Sequence, residues 1–378
     1  MTTNESQPEL PEEQFAPEEE EERPELQIAP KDRKLVTHPY DFIVRSLKDQ
    51  IDDKTLVLAD KFQRRRVWED RKSSRLIESL LLNVPIPVCY FAEIDNGCYS
   101  VIDGQQRLTA MYRYINNEFT LRGLKVRPDL NGKRYHQLDD QERRLIGSRS
   151  IRCIVILKES HPEIRFDVFE RLNTGAVKLN AQELRNSVYR GALNDLIRQL
   201  SEYKPFQRAR AATDIDKRMQ DCELILRFFA FHYRLSAYRG LLAPFLDAYL
   251  KDGASFDAAT LDAHRAVFTG TIDLVFSVFG ASAFRKHAKP HGWEKTVNRA
   301  IFDAVMLVFA ASPHDQIQAR AQQVVGALAD ICDDQAFVDA ITFATKDRKK
   351  LQVRIDKLRD ALVSLGVAVP QLTVGTPA

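Results

Sequence analysis

The stretch from Ser100 to Leu108 carries the residues best suited to chemistry in this chain. A β-favouring run ends in Asp103 and Gly104, and a helical pattern begins immediately afterwards. The N-terminus of a helix presents backbone N–H groups and the positive end of its dipole, so it favours anions. Gly104 would let a ligand approach the backbone closely, and Arg107 adds a forked cation that suits phosphate. The sequence therefore predicts an anion-binding corner between a strand and a helix.

Asp103 needs its own explanation, because a carboxylate at this corner would repel phosphate. It could bind Mg²⁺, orient a water molecule or a sugar hydroxyl, or simply cap the helix. A nucleotide with Mg²⁺ would reconcile the charges of Asp103 and Arg107, whereas the capping alternative leaves the two glutamines Gln105 and Gln106 unexplained. Both interpretations stay open on the local pattern.

A second cluster places three successive arginines, Arg64, Arg65 and Arg66, between Phe62 and Trp68. Cations interleaved with aromatic rings suit phosphate pairing and base stacking. Alternatively, the two aromatic residues are core anchors and the arginines form a solvated edge.

A third cluster runs from Phe169 to Arg185, where one helix ends, a turn follows and a second helix begins. Asn180 and Glu183 have the spacing of a capping box at the start of the second helix. Glu183 thus has a structural explanation. Asn173 and Arg185 are candidate binding residues, although a turn residue and an exposed helical arginine would look the same.

The elements that position these clusters indicate an α+β fold, with a small mixed-sheet domain followed by an all-α domain. The first domain should contain a helix at 73–82, a hairpin with strands at 87–92 and 98–102, a helix at 105–117, and strands at 119–126 and 151–157. Helical periodicity dominates the second half, with helices expected at 216–235, 258–279, 295–309, 316–331 and 347–365. We expect four segments: an acidic disordered tail at 1–33, the sheet domain at 34–160, the helical domain at 161–366 and a flexible tail at 367–378.

The charge distribution is asymmetric. Residues 1–25 contain ten Glu and one Arg, a net charge of −9, so the remaining chain carries +11 within a total of +2. A body of this sign attracts nucleotides or nucleic acid, and the acidic tail could compete for the same surface. A plainly solubilising tail is the simpler interpretation.

Composition excludes several classes of protein. The 378 residues are 44% hydrophobic and 29% charged, and no apolar run approaches the length of a membrane-spanning helix. Without a secretory signal pattern, the expected location is the cytoplasm. The five cysteines show no zinc-ligand spacing, and the chain lacks a Walker-type phosphate loop, so nucleotide chemistry would need another scaffold.

Taken in chain order, the three clusters resemble the N-terminal domain family of GmrSD-type restriction endonucleases, a branch of the ParB/sulfiredoxin-like superfamily. The similarity rests on four motifs: Phe62-Gln63-Arg64 with Trp68, Pro85-Ile86-Pro87, Ile102-Asp103-Gly104-Gln105-Gln106-Arg107-Leu108, and Leu172-Asn173-Thr174-Gly175 with Glu183 and Arg185. It spans roughly residues 40–310, and it implies that the sheet domain has the ParB/sulfiredoxin-like fold.

In that family the Asp-Gly-Gln-Gln-Arg corner is associated with binding and hydrolysis of nucleoside triphosphates, usually in restriction of modified phage DNA. Carried over, the resemblance implies catalytic roles for Asp103, Gln105, Gln106 and Arg107, with Mg²⁺ at Asp103. The expected nucleotide-binding residues are Gly104, Arg107, Gln63, Arg64, Asn173 and Arg185, and DNA would contact Arg64, Arg65 and Arg66.

The His-Asn-His nuclease signature of many relatives is not seen in this chain, and a separate nuclease subunit could supply DNA cleavage. A homo-oligomer is compatible with the sequence. The leading hypothesis is a Mg²⁺-dependent NTPase with a DNA-directed role in anti-phage defence. The alternatives are a non-catalytic DNA- or protein-binding module with a nucleotide switch, and a degenerate scaffold.

Overall fold

The computed structural model describes residues 15, 34–58, 68–94, 97–172, 180–212, 216 and 219–375. The chain divides into two compact units, one of residues 25–188 and one of residues 189–378 together with 1–24. The division predicted after residue 160 falls inside the first unit, because the two helices that follow residue 160 cluster with the sheet.

The first unit is built on a mixed five-stranded sheet, which confirms the predicted α+β class. Its strands are β1 Thr37–Ile43, β2 Leu56–Val57, β3 Cys89–Glu93, β4 Tyr99–Asp103 and β5 Ser150–Ile156. Their order across the sheet is β1-β5-β3-β4-β2. The β1·β5 and β3·β4 pairs are antiparallel, whereas β3·β5 and β2·β4 are parallel.

The described residues of this unit form six α-helices beside the sheet: α1 Val44–Asp52, α2 Asp70–Leu81, α3 Gln105–Ile115, α4 Asp140–Ser148, α5 Pro162–Leu172 and α6 Ala181–Val188. Their apolar residues build a core with the inner sheet positions. Ile77 of α2, Leu108 of α3 and Phe91 of β3 are at most 1% exposed. Burying such side chains contributes roughly 1.5–3 kcal/mol each, which holds the helices against the strands.

The predicted hairpin and the helices at 73–82 and 105–117 are confirmed. A strand predicted over 119–126 is wrong. Phe119, Leu121 and Leu124 are buried as their alternation suggests. The segment is nevertheless irregular, because its backbone pairing is limited to the Leu121 carbonyl with Gly132 N–H and the Lys133 carbonyl with Leu121 N–H.

The second unit is helical among its described residues, apart from the short hairpin of β6 His287–Ala288 and β7 Gly292–Trp293. Its α-helices are α7 Ala192–Ser201, α8 Lys204–Ala209, α9 Gln220–Arg234, α10 Leu242–Gly253, α11 Ala258–Phe279, α12 Arg299–Ala311, α13 His314–Ala319, α14 Ala321–Ile331, α15 Gln335–Thr342 and α16 Arg348–Ser364. The single helix expected at 316–331 is in fact two helices, which meet at Arg320.

A buried ionic network joins the centre of this helical unit. The carboxylate of Asp303 on α12 accepts hydrogen bonds from Arg227 of α9, at 2.6 Å, and from Arg354 of α16, at 3.2 Å. All three side chains are about 1% exposed or less. Charges this deeply buried must be paired, so the network fixes the relative positions of these three helices.

The C-terminal stretch, predicted to be flexible, packs against the helical unit over its described part. Val367, Val369 and Val374 are buried. Gln352 of α16 donates to the Leu372 carbonyl and accepts from Val374 N–H. Among the described helices, none is both long enough and apolar enough to cross a membrane.

Candidate functional site

The predicted corner is formed where β4 ends at Asp103 and α3 begins at Gln105. β4 pairs with β3, and Tyr90 lies opposite Asp103 beside an irregularity in the register between Tyr90 and Phe91. The carboxylate and the first turn of α3 therefore project from the same end of the hairpin.

Gly104 connects the strand to the helix with φ +100°, a conformation that disfavours any residue with a side chain. A Cβ here would lie 2.4 Å from Cys89 Sγ and 2.9 Å from Cys89 Cβ. The glycine thus lets α3 start directly against β3. The sequence predicted a glycine here for a different reason, the close approach of a ligand to the backbone.

Asp103 and Arg107 form an ion pair one helical turn apart. Arg107 Nη2 donates to Asp103 Oδ2 over 2.5 Å. Gly104 occupies the N-cap position of α3, and no side chain makes a capping hydrogen bond there. The capping alternative for Asp103 is therefore wrong, and the carboxylate has another partner.

Arg107 also holds the segment that leads into β3. Its Nη1 donates to the carbonyls of Pro87 and Val88, the latter over 3.2 Å. The Arg107 side chain is 12% exposed, whereas that of Asp103 is 43% exposed. The guanidinium is thus positioned by two carbonyls, and the carboxylate is the part of the pair that solvent and ligands reach.

Gln106 links α3 to the start of α2. Its Oε1 accepts a hydrogen bond from Trp68 N–H over 3.0 Å, and Trp68 is covered in turn by the ammonium group of Lys72, 4.4 Å from the ring centroid. With the carbonyl engaged, the amide NH₂ is the part of Gln106 left for a ligand. Gln105 is the first residue of α3 and is half-buried.

Two buried thiols, Cys89 and Cys153, lie beneath the corner. Cys89 of β3 is the register partner of Cys153 of β5, and both are fully buried. The hydrogen bond from Cys153 and the charge of Arg107 lower the pKa of Cys89 below its ordinary value. The same hydrogen bond, together with burial, raises the pKa of Cys153. The sequence does not reveal this pair of thiols, because Cys89 and Cys153 become neighbours only through the pairing of β3 with β5.

The third cluster is partly described. Asn180 N–H donates to Glu183 Oε2 over 2.7 Å, and Glu183 N–H donates to Asn180 Oδ1 over 2.8 Å. This reciprocal pair confirms the predicted capping box. Arg185 is 2% exposed on α6, not at the surface, and its Nη1 donates to Gln182 over 3.5 Å.

The structure brings together Asp103, Gly104, Gln106 and Arg107, with Gln105 beginning the same helix. The candidates Gln63, Arg64, Arg65, Arg66 and Asn173 lie outside the described residues, as does the acidic tail except for Phe15.

The residues of this corner fit one way of binding Mg²⁺. Within the described part of the chain no group of three or more His, Cys, Asp or Glu side chains is arranged to hold a metal ion. Mg²⁺ is commonly held by one or two carboxylates together with substrate phosphates. The exposed carboxylate of Asp103 is compatible with that arrangement and not with a cage of protein ligands.

These features define an α+β domain whose sheet presents a polar strand-to-helix corner. Residues 44–190 match the family model described as GmrSD restriction endonuclease, N-terminal domain, which confirms the predicted resemblance over this range. The matched range ends close to Val188, where the first compact unit ends. No curated protein was found to match the chain.

Proposed function

We propose that this chain binds a nucleoside triphosphate with Mg²⁺ at the corner of Asp103 and Arg107 and hydrolyses it in support of DNA restriction in the cytoplasm. The observation that carries the proposal is the ion pair between these residues at a helix start without a side-chain cap. An acid and a base that neutralise each other can exchange partners with a ligand carrying both charges, and a magnesium nucleotide is such a ligand.

The phosphates would bind at the first turn of α3. Backbone N–H groups and the helix dipole favour an anion there. Arg107 is already held beside this turn by the carbonyls of Pro87 and Val88. On binding, its Nη2 would turn from Asp103 to a phosphate oxygen, while Nη1 keeps the guanidinium in place. Positioning before binding lowers the entropic cost of recognition.

Release from Arg107 would leave the Asp103 carboxylate available to the metal ion. Bound Mg²⁺ would neutralise charge on the phosphates and so assist their transfer to water. Asp103 would then hold the ion at the phosphate chain, and the NH₂ group of Gln106 would orient the γ-phosphate or the attacking water. Gln105, Gln63, Arg64, Asn173 and Arg185 are proposed neighbours of the nucleotide by resemblance alone.

The DNA-directed part of the proposal rests on the family match, whose name describes a restriction endonuclease. The +11 charge outside the first 25 residues suits a polyanion. Arg64, Arg65 and Arg66 are proposed DNA contacts. A separate nuclease subunit is a proposed partner.

A second candidate is a binding module in which the nucleotide acts only as a switch. It is favoured by the structural hydrogen bonds of Gln106 to Trp68 and of Arg107 to two carbonyls. Under this candidate the nucleotide binds at the same corner without turnover.

The test is hydrolysis of ATP, GTP, CTP and UTP by the purified chain with Mg²⁺, with and without DNA. Asp103→Ala is the informative variant. Asp41→Asn is the matched control, because Asp41 forms an ion pair of the same 2.5 Å length with Arg152, away from the corner. Turnover lost in Asp103→Ala and kept in Asp41→Asn supports the enzyme. Unchanged turnover in Asp103→Ala refutes the site. Saturable binding without turnover favours the switch.

A further inference from the structure

The irregular segment of residues 120–127 lies along α2 and is held there by two polar side chains. Arg122 N–H donates to Ser74 Oγ over 2.9 Å. Arg127 N–H donates to Glu78 Oε1, also over 2.9 Å. Because Ser74 and Glu78 are about one helical turn apart on α2, these contacts keep the segment beside the helix. We call residues 120–127 the strap.

The strap and α2 together carry five exposed cations, which we call the basic face: Arg71, Lys72 and Arg75 of α2, and Arg122 and Lys125 of the strap. Arg71 lies against the strap, since a Cβ on Gly123 would be 3.0 Å from Arg71 Nε. Arg71 and Arg75 are separated by about 6 Å along the helix axis. Cations from two adjacent elements therefore share one surface.

The carboxylates around the basic face leave this positive charge largely unbalanced. Four of them are ion-paired with arginines outside the basic face: Asp70 and Glu118 with Arg113, and Asp129 and Glu142 with Arg127. Glu78 is 7% exposed and accepts hydrogen bonds from the strap. Glu69, just before α2, is exposed and offsets one charge. Among the described residues, no carboxylate lies within 4.0 Å of a cationic group of the basic face.

One end of the basic face lies beside the corner of Asp103. The ammonium group of Lys72 covers the ring of Trp68, 4.4 Å from its centroid. Trp68 N–H donates in turn to Gln106 Oε1 in the first turn of α3. All of these residues belong to the first compact unit. A long anion bound along α2 would therefore extend towards the corner.

The chemistry of the basic face fits a chain of phosphates. Arginine and lysine are the side chains that bind phosphate oxygens best. A protein partner would instead need apolar anchors at the centre of its interface, and Val126 is the large apolar residue that the described strap exposes.

The same surface favours duplex DNA over a single strand. Proteins that bind single strands combine cations with aromatic rings on which bases stack. None of the exposed residues that the structure describes on α2 and the strap is aromatic, and the half-buried ring of Trp68 is already covered by Lys72. Contacts to backbone phosphates position a duplex without reading its sequence.

We propose that the basic face is a docking surface for the phosphate backbone of duplex DNA. The inference rests on the DNA-directed part of the proposed function and requires no nucleotide hydrolysis. It places DNA contacts on α2 and the strap, in addition to those proposed for Arg64, Arg65 and Arg66. The cations hold phosphates whatever the base sequence is.

The test is binding of labelled DNA duplexes of two unrelated sequences to the full-length chain over a series of salt concentrations, without nucleotide or Mg²⁺. The informative variant combines Arg75→Gln, Arg122→Gln and Lys125→Gln, which remove three exposed charges. It should bind both duplexes about tenfold or more weakly near 0.1 M salt. The plot of log affinity against log salt should become less steep by about 2–3, because each phosphate contact contributes about 0.9.

Two control variants separate the basic face from net charge and from folding. Replacing Lys34, Lys54 and Lys158 together by Gln also removes three exposed charges from the same unit, outside α2 and the strap. This variant should keep the salt slope of the wild type. Arg75→Lys combined with Arg122→Lys retains the charges and should retain the slope as well.

Four results would overturn the inference. The first is a wild-type affinity and slope in the triple glutamine variant, which would leave DNA binding to other residues. The second is an equal loss in the lysine control, which would make the arginines structural. The third is equally good competition by polyglutamate, which would assign the surface to acidic proteins. The fourth is tighter binding of a single strand with the same dependence on the three cations.

Failure of the basic face can be told apart from failure of the proposed function. If the wild-type chain binds DNA and the triple glutamine variant binds it equally well, the surface is wrong and the DNA-directed role stands. If the wild-type chain binds no DNA, the DNA-directed role fails and the basic face fails with it. The hydrolysis assay of Asp103→Ala is independent of both results, because no nucleotide is present here.

Discussion

Asp103 and Arg107 are joined across the junction of β4 and α3 by a contact of 2.5 Å between Oδ2 and Nη2. The pair is asymmetric, because Arg107 is nearly buried and has carbonyl partners, whereas 43% of the Asp103 side chain is exposed. A ligand can therefore reach the carboxylate first. The corner combines a fixed cation with an accessible anion, and the proposed nucleotide chemistry depends on this combination.

Gly104→Ala should destabilise the first unit by about 2–4 kcal/mol, from the positive φ and from the clash with Cys89. Gly132→Ala is the matched control, because Gly132 has φ +85° and a Cβ there would meet nothing within 4 Å. It should cost only the backbone part, roughly 1–2 kcal/mol. Denaturant unfolding measures both. Equal losses would show that contact with Cys89 does not constrain the corner.

Variants of Gln106 can separate a structural role from a catalytic one. Its Oε1 accepts the hydrogen bond from Trp68 N–H, whereas its NH₂ group is proposed to act on the nucleotide. Gln106→Glu keeps an acceptor for Trp68 N–H but removes the NH₂ donor and adds a negative charge. We expect stability to stay within about 1 kcal/mol, the typical net value of one hydrogen bond, and hydrolysis to be lost. Gln106→Ala should lose hydrolysis and also the stability that the hydrogen bond from Trp68 N–H contributes. If Gln106→Glu hydrolyses nucleotide at the normal rate, Gln106 only connects α3 to α2.

Asp221 should make the stability of the helical unit depend on pH. Burial raises its pKa to about 6, although Arg210 opposes the shift and Asp216 adds to it. The folded state therefore binds this proton more tightly than the unfolded state, so the free energy of unfolding should fall as pH rises from about 4 through about 6. Asp221→Asn should remove that part of the slope in denaturant unfolding between pH 4 and 7.

Asp257 provides a control of opposite sign. Hydrogen bonds from Thr260 at the start of α11 lower the pKa of Asp257. Its contribution is present above the ordinary pKa of an aspartate and is lost as pH falls. Asp257→Asn should therefore weaken the unit at neutral pH and change little in acid. If Asp221→Asn and Asp257→Asn changed the pH dependence of the free energy of unfolding in the same direction, the assignment for Asp221 would be contradicted.

The corner was predictable because its signals are local. A β-favouring run, Asp103-Gly104 and a helical period follow one another without interruption, and each has one usual structural meaning. The partners of the side chains were not predictable. Gln106 bonds Trp68, 38 positions away, and Arg107 bonds Pro87 and Val88, about 20 positions away. Such contacts exist only once the helices have packed.

Two features of the fold were also not predictable from local sequence signals. β1 was missed because it is an edge strand with nearly every residue exposed and with Pro39 inside it, so it lacks the usual alternation. The compact unit of residues 25–188 extends past the predicted division after residue 160, because the helical period of α5 and α6 does not distinguish them from the helices that follow. Membership of a compact unit depends on tertiary contacts, which helical period does not encode.

Equilibrium binding of a non-hydrolysable nucleoside triphosphate to the wild-type chain and to Asp103→Asn, with and without Mg²⁺, tests the central claim most directly. We predict that Asp103→Asn weakens binding by about tenfold or more in Mg²⁺, equivalent to about 1.4 kcal/mol, and has little effect without it. Asp41→Asn should match the wild type in both conditions. Equal affinity of Asp103→Asn and wild type in Mg²⁺ would contradict a magnesium nucleotide at this corner.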